Sequence, residues 1–265
     1  MISTPRDIGE GDAGSAVSLL FAAGHRPAAA AIRELARKRD GFAVSFDPAA
    51  EQAGGESGPH GGDDGQQWLE LLANGLTFDL VGLAPGECAP PPPLAHRFAI
   101  AETLDPAGLE AVTLRPGPHL AGGHAMIPVV RSLAWLAALL AQLEGVAAIA
   151  WHPARSWCGP GYFREGVLRW VEGGVFPGLG LAALAVTADG GMQSEGLALF
   201  IGQELRLEPE LAADRAEGAK IAVRLLDFLV EGGPLTSPRR VTGPDGLALR
   251  LEPSANGRFV RVWRG

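Results

Sequence analysis

Residues 128–143 form a segment that is apolar on nearly every side of a predicted helix. One stripe recurs at helical spacing, and Trp135 with several alanines makes the other side nearly apolar too. The stripe consists of Val129, Leu133, Leu136, Leu140 and Leu143. A helix of this kind has no face for solvent, so it must be covered on both sides. The chain is therefore expected to fold around this helix.

The composition fits a folded protein and excludes some partners. The chain has 265 residues, of which 47% are hydrophobic, enough for one large domain or two small ones. Its formal net charge is −8 and its arginines are scattered along the sequence. An acidic chain lacks the basic field that nucleic acid or anionic lipid requires, so we expect neither partner. The abundance of Ala, Gly, Pro and Arg indicates a GC-rich bacterial genome.

The N-terminus and the cysteines indicate a cytoplasmic protein. The first 15 residues are polar and acidic, without a basic region followed by an apolar one. The longest apolar stretch, residues 127–151, is interrupted by Arg131, Gln142 and Glu144, which argues against a membrane span. Cys88 and Cys158 are expected to be reduced thiols.

The pattern of strands and helices predicts an α+β fold. Asn74-Gly75 between two apolar segments predicts a hairpin of residues 68–73 and 76–83. Further hairpins are predicted at 181–186 with 196–207, bulged at Gly202, and at 247–252 with 259–263. Single strands are expected at 15–21, 42–46, 110–114 and 146–151, and helices at 27–40, 161–171 and 214–231. We expect mixed, largely antiparallel sheets with hairpins and packed helices.

Two irregular segments suggest how the chain is divided. Residues 47–66 hold six glycines among acidic residues and are expected to be a flexible loop. Residues 85–93 contain four consecutive prolines and predict a stiff connector. We therefore predict an N-terminal α+β subdomain at 1–93 and a C-terminal α+β domain at 94–265.

The common cofactor and catalytic motifs are missing from the sequence. There is no Gly-Lys-Ser/Thr phosphate loop, no Gly-x-Ser-x-Gly elbow and no His-Glu-x-x-His zinc motif. We therefore expect no cofactor.

The segment Trp157-Cys158-Gly159-Pro160-Gly161 resembles the thioredoxin active-site segment Trp-Cys-Gly-Pro-Cys. The second cysteine of that motif is replaced here by Gly161, which excludes dithiol exchange. A monothiol enzyme or redox sensor stays open, with Cys158 at a helix N-terminus and His152 or Arg155 lowering its pKa. This hypothesis requires an exposed thiol. The alternative is that Cys158 is a small packing residue.

Two further sets of residues are candidate sites. His119, His124 and His152 follow predicted strands and could hold a zinc ion, although ordinary hydrogen-bonded loop histidines are the alternative. The large rings of Trp151, Trp157 and Tyr162 predict either core packing or an aromatic-lined pocket. Glu204 belongs to the charged face of a half-buried strand and is a candidate binding residue.

The C-terminal three-fifths of the chain resembles a known bacterial family. The similar stretches are residues 110–114, 117–120, 150–154, 161–163, 194–197 and 200–205. They resemble the family called domain of unknown function 4261. The resemblance implies a stand-alone bacterial cytosolic protein and supplies no catalytic residue. Ala154 stands where the family tends to have Ser, which argues against a catalytic hydroxyl there.

The function that these observations favour is a non-enzymatic protein-binding or regulatory module with a protein partner. A monothiol enzyme or sensor at Cys158, and a histidine metal site, are the alternatives.

Overall fold

The computed structural model describes residues 15–48, 50 and 67–265. Most of the predicted flexible loop at 47–66 lies outside the described residues.

The first sheet has eight strands and is almost entirely antiparallel. Its strands are β1 Val17–Ala22, β2 Phe42–Phe46, β3 Gln67–Ala73, β4 Leu76–Leu83, β5 His96–Phe98, β6 Leu109–Pro116, β7 Val146–Trp151 and β8 Ser156–Cys158. Their spatial order is β2-β3-β4-β6-β1-β7-β8-β5. Only the short β5 runs parallel to its neighbour, β8. The central strand β1 buries every residue from Val17 to Phe21.

Three helices cover one face of this sheet: α1 Ala29–Lys38, α2 Ile127–Leu140 and α3 Pro160–Val171. Ten of the fourteen residues of α2 are buried, because the helix lies between the sheet and α3. The all-round apolar pattern therefore predicted its position correctly.

The second sheet has six strands, all from the last third of the chain. They are β9 Ala183–Val186, β10 Met192–Glu195, β11 Glu204–Leu207, β12 Arg239–Thr242, β13 Ala248–Pro253 and β14 Phe259–Arg264, in the order β12-β13-β14-β11-β10-β9. β11 and β14 are parallel and the other pairs are antiparallel. The associated helices are α4 Gly178–Leu181, α5 Ala198–Ile201, α6 Pro209–Ala212 and α7 Arg215–Gly232.

One hydrophobic core joins the two sheets. It contains Leu19 from β1, Leu133 from α2, Leu226 from α7 and Leu251 from β13. Phe200 of α5 lies at the junction, with its ring centroid 6.5 Å from Trp151 and 6.0 Å from Trp170. Other apolar residues pack on the opposite face of the first sheet as a separate small cluster. They are Leu20, Leu109, Ala111, Ala148, Ala150 and Trp157.

Strands from both sides of the proline-rich connector belong to the same sheet. β6 follows the connector in sequence, yet it lies between β4 and β1, which precede it. Arg26 holds the start of the connector by donating to the carbonyl oxygens of Gly82, Gly86 and Glu87. The predicted division at 93/94 therefore runs through one sheet.

The prediction of one strand at 196–207 was wrong for residues 196–203, whereas residues 204–207 form the strand β11. The second hairpin pairs β9 with β10, and residues 198–201 form the short helix α5. Gly202 has φ 72° and ends that helix, so it is not a strand bulge. The reason is the carboxylate of Glu204, which accepts hydrogen bonds from the backbone of Gly196, Leu197 and Ala198 and bends this segment back.

The fold class is confirmed as α+β, with two mixed and mostly antiparallel sheets. Among the described residues, no helix has both the length and the apolar character needed to cross a bilayer.

Candidate functional site

Cys158 faces the core instead of an open helix end. It is the last residue of β8, pairs with Ile149, and is 1% exposed. Burial raises the pKa of its thiol to about 12. The helix that follows begins at Pro160, as the thioredoxin-like segment predicted. The condition for a reactive monothiol, an exposed sulfur with a lowered pKa, is therefore not met.

His152 belongs to a partly buried hydrogen-bonded chain across three strands. Its Nε2 lies 2.8 Å from Ser18 Oγ, which lies 2.8 Å from Thr113 Oγ1. Burial lowers the pKa of His152 to about 4, so the imidazole is neutral at physiological pH. Ser18 is completely buried and cannot meet a substrate. These hydrogen bonds therefore hold β6, β1 and β7 together.

Arg155 points away from Cys158, toward the second sheet. Its guanidinium pairs with Glu195 through two hydrogen bonds, one of them from Nη2 to Oε2 at 3.0 Å. His96 Nε2 lies 2.9 Å from the same carboxylate. Burial opposes ionisation of Glu195, but Arg155 and His96 outweigh it and leave its pKa below the ordinary value. Arg155 therefore stabilises the junction between the two sheets.

The three candidate histidines are separated. His119 Nε2 lies 3.0 Å from Thr77 Oγ1, and His124 Nδ1 lies 2.7 Å from the carbonyl oxygen of Ala121. Thr77 is on β4, three strands from β7, which ends directly before His152, so strand spacing alone puts Thr77 about 14 Å from β7. Within the part of the chain that the structure describes, no group of three His, Cys, Asp or Glu could hold a metal ion.

The predicted aromatic pocket is not assembled. Trp151 packs in the main core, whereas Trp157 lies on the opposite face of the first sheet. Tyr162 is partly exposed and packs edge-on against Phe98, with the ring centroids 4.7 Å apart. Glu204 is on the second sheet, where its carboxylate also accepts a hydrogen bond from the hydroxyl of Ser194. Burial raises the pKa of Glu204.

A groove of about 670 Å³ lies between α1 and β2. Its two basic side chains are already paired, Arg33 with Asp47 at 2.8 Å and Arg37 with Glu34 at 2.6 Å. None of the sequence-predicted candidates lines this groove.

A row of charges that the sequence analysis missed crosses the second face of the first sheet. Glu70 of β3 pairs in register with Asp79 of β4, which pairs with Arg115 of β6. Registered residues project from the same face, so the three side chains are neighbours. We call Glu70, Asp79 and Arg115 the charged row.

The second sheet carries a set of arginines on the face opposite α7. Leu249, Leu251, Val260 and Val262 are buried in the main core, so the residues that alternate with them project outward. Register aligns Arg240 of β12 with Arg250 of β13, Arg250 with Trp263 of β14, and Arg261 of β14 with Arg206 of β11. We call Arg206, Arg240, Arg250, Arg261 and Trp263 the arginine face.

Stacking and ion pairs order the arginine face. The guanidinium carbons of Arg250 and Arg261 lie 5.2 and 4.8 Å from the centre of the Trp263 ring. Arg261 also pairs with Glu208 at 2.7 Å, Arg250 pairs with Glu252 at 3.2 Å, and Arg206 pairs with Asp189. Arg240 is exposed and makes no ion pair with any residue that the structure describes. The arginines that looked scattered in the sequence are thus gathered on four adjacent strands.

No family model, curated protein or solved structure matches the chain. The resemblance to the domain of unknown function 4261 family accordingly stays a prediction from short motifs.

Proposed function

We propose that this chain is a non-enzymatic protein-binding or regulatory module that holds an acidic segment of a partner protein on the arginine face. The observation that carries this proposal is that Arg240, Arg250, Arg261 and Arg206 project from the same face of four neighbouring strands. With strands about 4.8 Å apart, these residues span about 14 Å, the length of a short extended peptide.

The chemistry of the arginine face suits a protein interface. Arginine and tryptophan are enriched at protein–protein interfaces and among their strongest contributors. The guanidinium group binds carboxylates through two parallel hydrogen bonds. Because Arg250 and Arg261 already stack on Trp263, less side-chain entropy is lost when a partner binds.

The charge distribution favours a short acidic peptide over nucleic acid. Residues 233–265 contain six arginines and two acidic residues, a net charge of +4, although the whole chain carries −8. The remaining residues therefore carry −12. A long polyanion would be repelled by this remainder, whereas a short acidic segment meets mainly the local positive field.

Binding of a labelled decaglutamate peptide tests the proposal, measured by fluorescence anisotropy at low salt. Arg240→Glu should weaken binding by at least about tenfold, since a negative charge on the arginine face repels the carboxylates of the peptide. The matched control is Arg224→Glu, an exposed arginine on α7 behind the opposite face, and it should change the affinity less than about twofold.

Two results would overturn the proposal. One is no binding of the peptide, or equal loss in both variants. The other is tighter binding of a single-stranded RNA decamer that Arg240→Glu also abolishes, which would make the arginine face a nucleic-acid surface.

A further inference from the structure

We propose that the charged row is a binding site for a small zwitterion of the α-amino-acid class, with the ligand's ammonium on Asp79 and its carboxylate on Arg115. This site lies on the first sheet and is independent of the arginine face, so it goes beyond the function proposed above.

Asp79 has unused hydrogen-bonding capacity. The residue is 8% exposed, and no described residue donates a hydrogen bond to its carboxylate. Its nearest cationic atom is Arg115 Nε, which lies 3.8 Å from Oδ2 and is therefore beyond hydrogen-bond distance. With its counter-charge beyond hydrogen-bond distance, this largely buried carboxylate has acceptor sites open to a ligand. A ligand ammonium would supply the missing donors.

The neighbours of Asp79 make it receptive to positive charge. Burial raises the pKa of Asp79, and the carboxylate of Glu70 across the strand pair raises it further. Arg115 and His119 lower this pKa, but the net shift of the Asp79 pKa is still upward. Like charges directly opposite one another destabilise a sheet, and an ammonium group bound between them would remove that repulsion.

Arg115 can hold the other end of the ligand. Its side chain is 34% exposed and makes no hydrogen bond with the described residues. Thr113 is two residues earlier on β6 and projects from the same face, but its hydroxyl is already hydrogen-bonded to Ser18. The guanidinium of Arg115 alone is a suitable partner for a ligand carboxylate, which it can bind through two parallel hydrogen bonds.

A ligand that carries both charges suits the row better than one that carries a single charge. A simple cation bound at Asp79 is repelled by Arg115, and a simple anion bound at Arg115 is repelled by Asp79 and Glu70. In an α-amino acid the ammonium and carboxylate groups are attached to one carbon. Asp79 and Arg115 are likewise direct cross-strand neighbours, so both groups can be engaged at once.

The test is an NMR titration of the full chain that follows the backbone amides of Asp79, Thr113 and Arg115. The probes are the twenty standard amino acids added singly, with methylammonium and acetate as compounds that retain one charge each. We expect at least one amino acid to give saturable shifts at these amides, and neither single-charge compound to match its affinity.

Variants separate this site from adventitious binding. Asp79→Asn and Arg115→Met should each weaken binding of the amino acid ligand by at least about tenfold, as expected for lost charge-assisted hydrogen bonds. Asp40→Asn, at an exposed aspartate, is the matched control and should leave the affinity unchanged. If Asp79→Asn does not fold, Glu70→Gln replaces it and should weaken binding by about threefold.

The proposal is overturned if no amino acid shifts these amides saturably. It is also overturned if methylammonium or acetate binds as tightly as the amino acid, or if the variants bind like the unaltered chain.

Discussion

Arg155 and Glu195 form an ion pair that ties the end of β7 in the first sheet to the end of β10 in the second. The backbones are close at the same point, since a Cβ on Gly196 would lie 2.9 Å from the Cβ of Ala154. Arg155 reaches this position in the left-handed region, with φ 46° and ψ 35°. The junction therefore combines a charged contact, a close approach and a backbone conformation that L residues rarely adopt.

Substitutions at Arg155 should separate the ion pair from the backbone strain. Arg155→Gly and Arg155→Ala both remove the pair with Glu195, which for a half-exposed arginine contributes up to about 1 kcal/mol. Alanine keeps the left-handed strain, whereas glycine adopts that region freely. Arg155→Ala should therefore be less stable than Arg155→Gly by about 1 kcal/mol in urea unfolding. Equal stabilities would contradict a left-handed residue at this position.

His152 should make the protein acid-sensitive. Burial lowers its pKa from 6.5 to about 4, so the unfolded chain binds a proton in this interval that the folded chain does not. The full contribution of His152 to the free energy of unfolding is present above pH 6.5 and is lost as the pH falls toward 4. The free energy of unfolding should decrease by up to about 3 kcal/mol across this window from this residue.

The contribution of His152 to stability is the difference between the pH profiles of the unaltered chain and of His152→Gln, because carboxylates also titrate at low pH. His152→Gln should flatten the pH dependence of urea unfolding between pH 6.5 and 4 relative to the unaltered chain. A pH profile of His152→Gln identical to that of the unaltered chain would contradict a buried neutral imidazole.

Patterns that are local in sequence predicted their elements well. The all-round apolar pattern placed α2, and Asn74-Gly75 placed the hairpin of β3 and β4, with φ 51° at Asn74 as such a turn needs. The strands β5, β8 and β12 are three or four residues long. They were missed because so short a segment shows no periodicity and forms only through pairing with distant strands.

The candidate sites depended on side-chain direction, which the sequence left open. The strand–turn–helix context of Cys158 was predicted correctly, but the pairing of Cys158 with Ile149 turns the thiol into the core. A shift of one residue in register would have turned it to the other face. Packing of a three-residue strand decides the direction of the Cys158 side chain, and no local sequence pattern predicts that direction.

The charged row and the arginine face were hidden for a related reason. Arg250 alternates with leucines, and Arg261 with valines, so each strand alone indicates an ordinary exposed face. Their gathering depends on the parallel pairing of β11 with β14, between segments more than fifty residues apart. The excess of arginine in residues 233–265 was the available sequence signal.

The two glycines around Pro160 should respond oppositely to alanine. A Cβ at Gly159 would lie 2.2 Å from the carbonyl oxygen of Ala99, so Gly159→Ala forces β8 and its neighbour apart. It should destabilise the protein by about 1–3 kcal/mol. Gly161, in the first turn of α3, has open space around it, and Gly161→Ala should stabilise by up to about 1 kcal/mol. Urea unfolding measures both, and a tolerated Gly159→Ala would contradict the close approach of Ala99.

Alkylation should distinguish the two cysteines. Cys88 is exposed, whereas Cys158 is buried and its thiol pKa is raised to about 12. Since only the thiolate reacts, iodoacetamide at pH 8 should modify Cys88 in the folded protein and leave Cys158 unmodified. In Cys88→Ser, mass spectrometry should find no label until urea unfolds the chain, and then one label at Cys158. Labelling of Cys158 in the folded variant at the rate of a free thiol would restore the monothiol hypothesis, because it would require the sulfur to reach solvent.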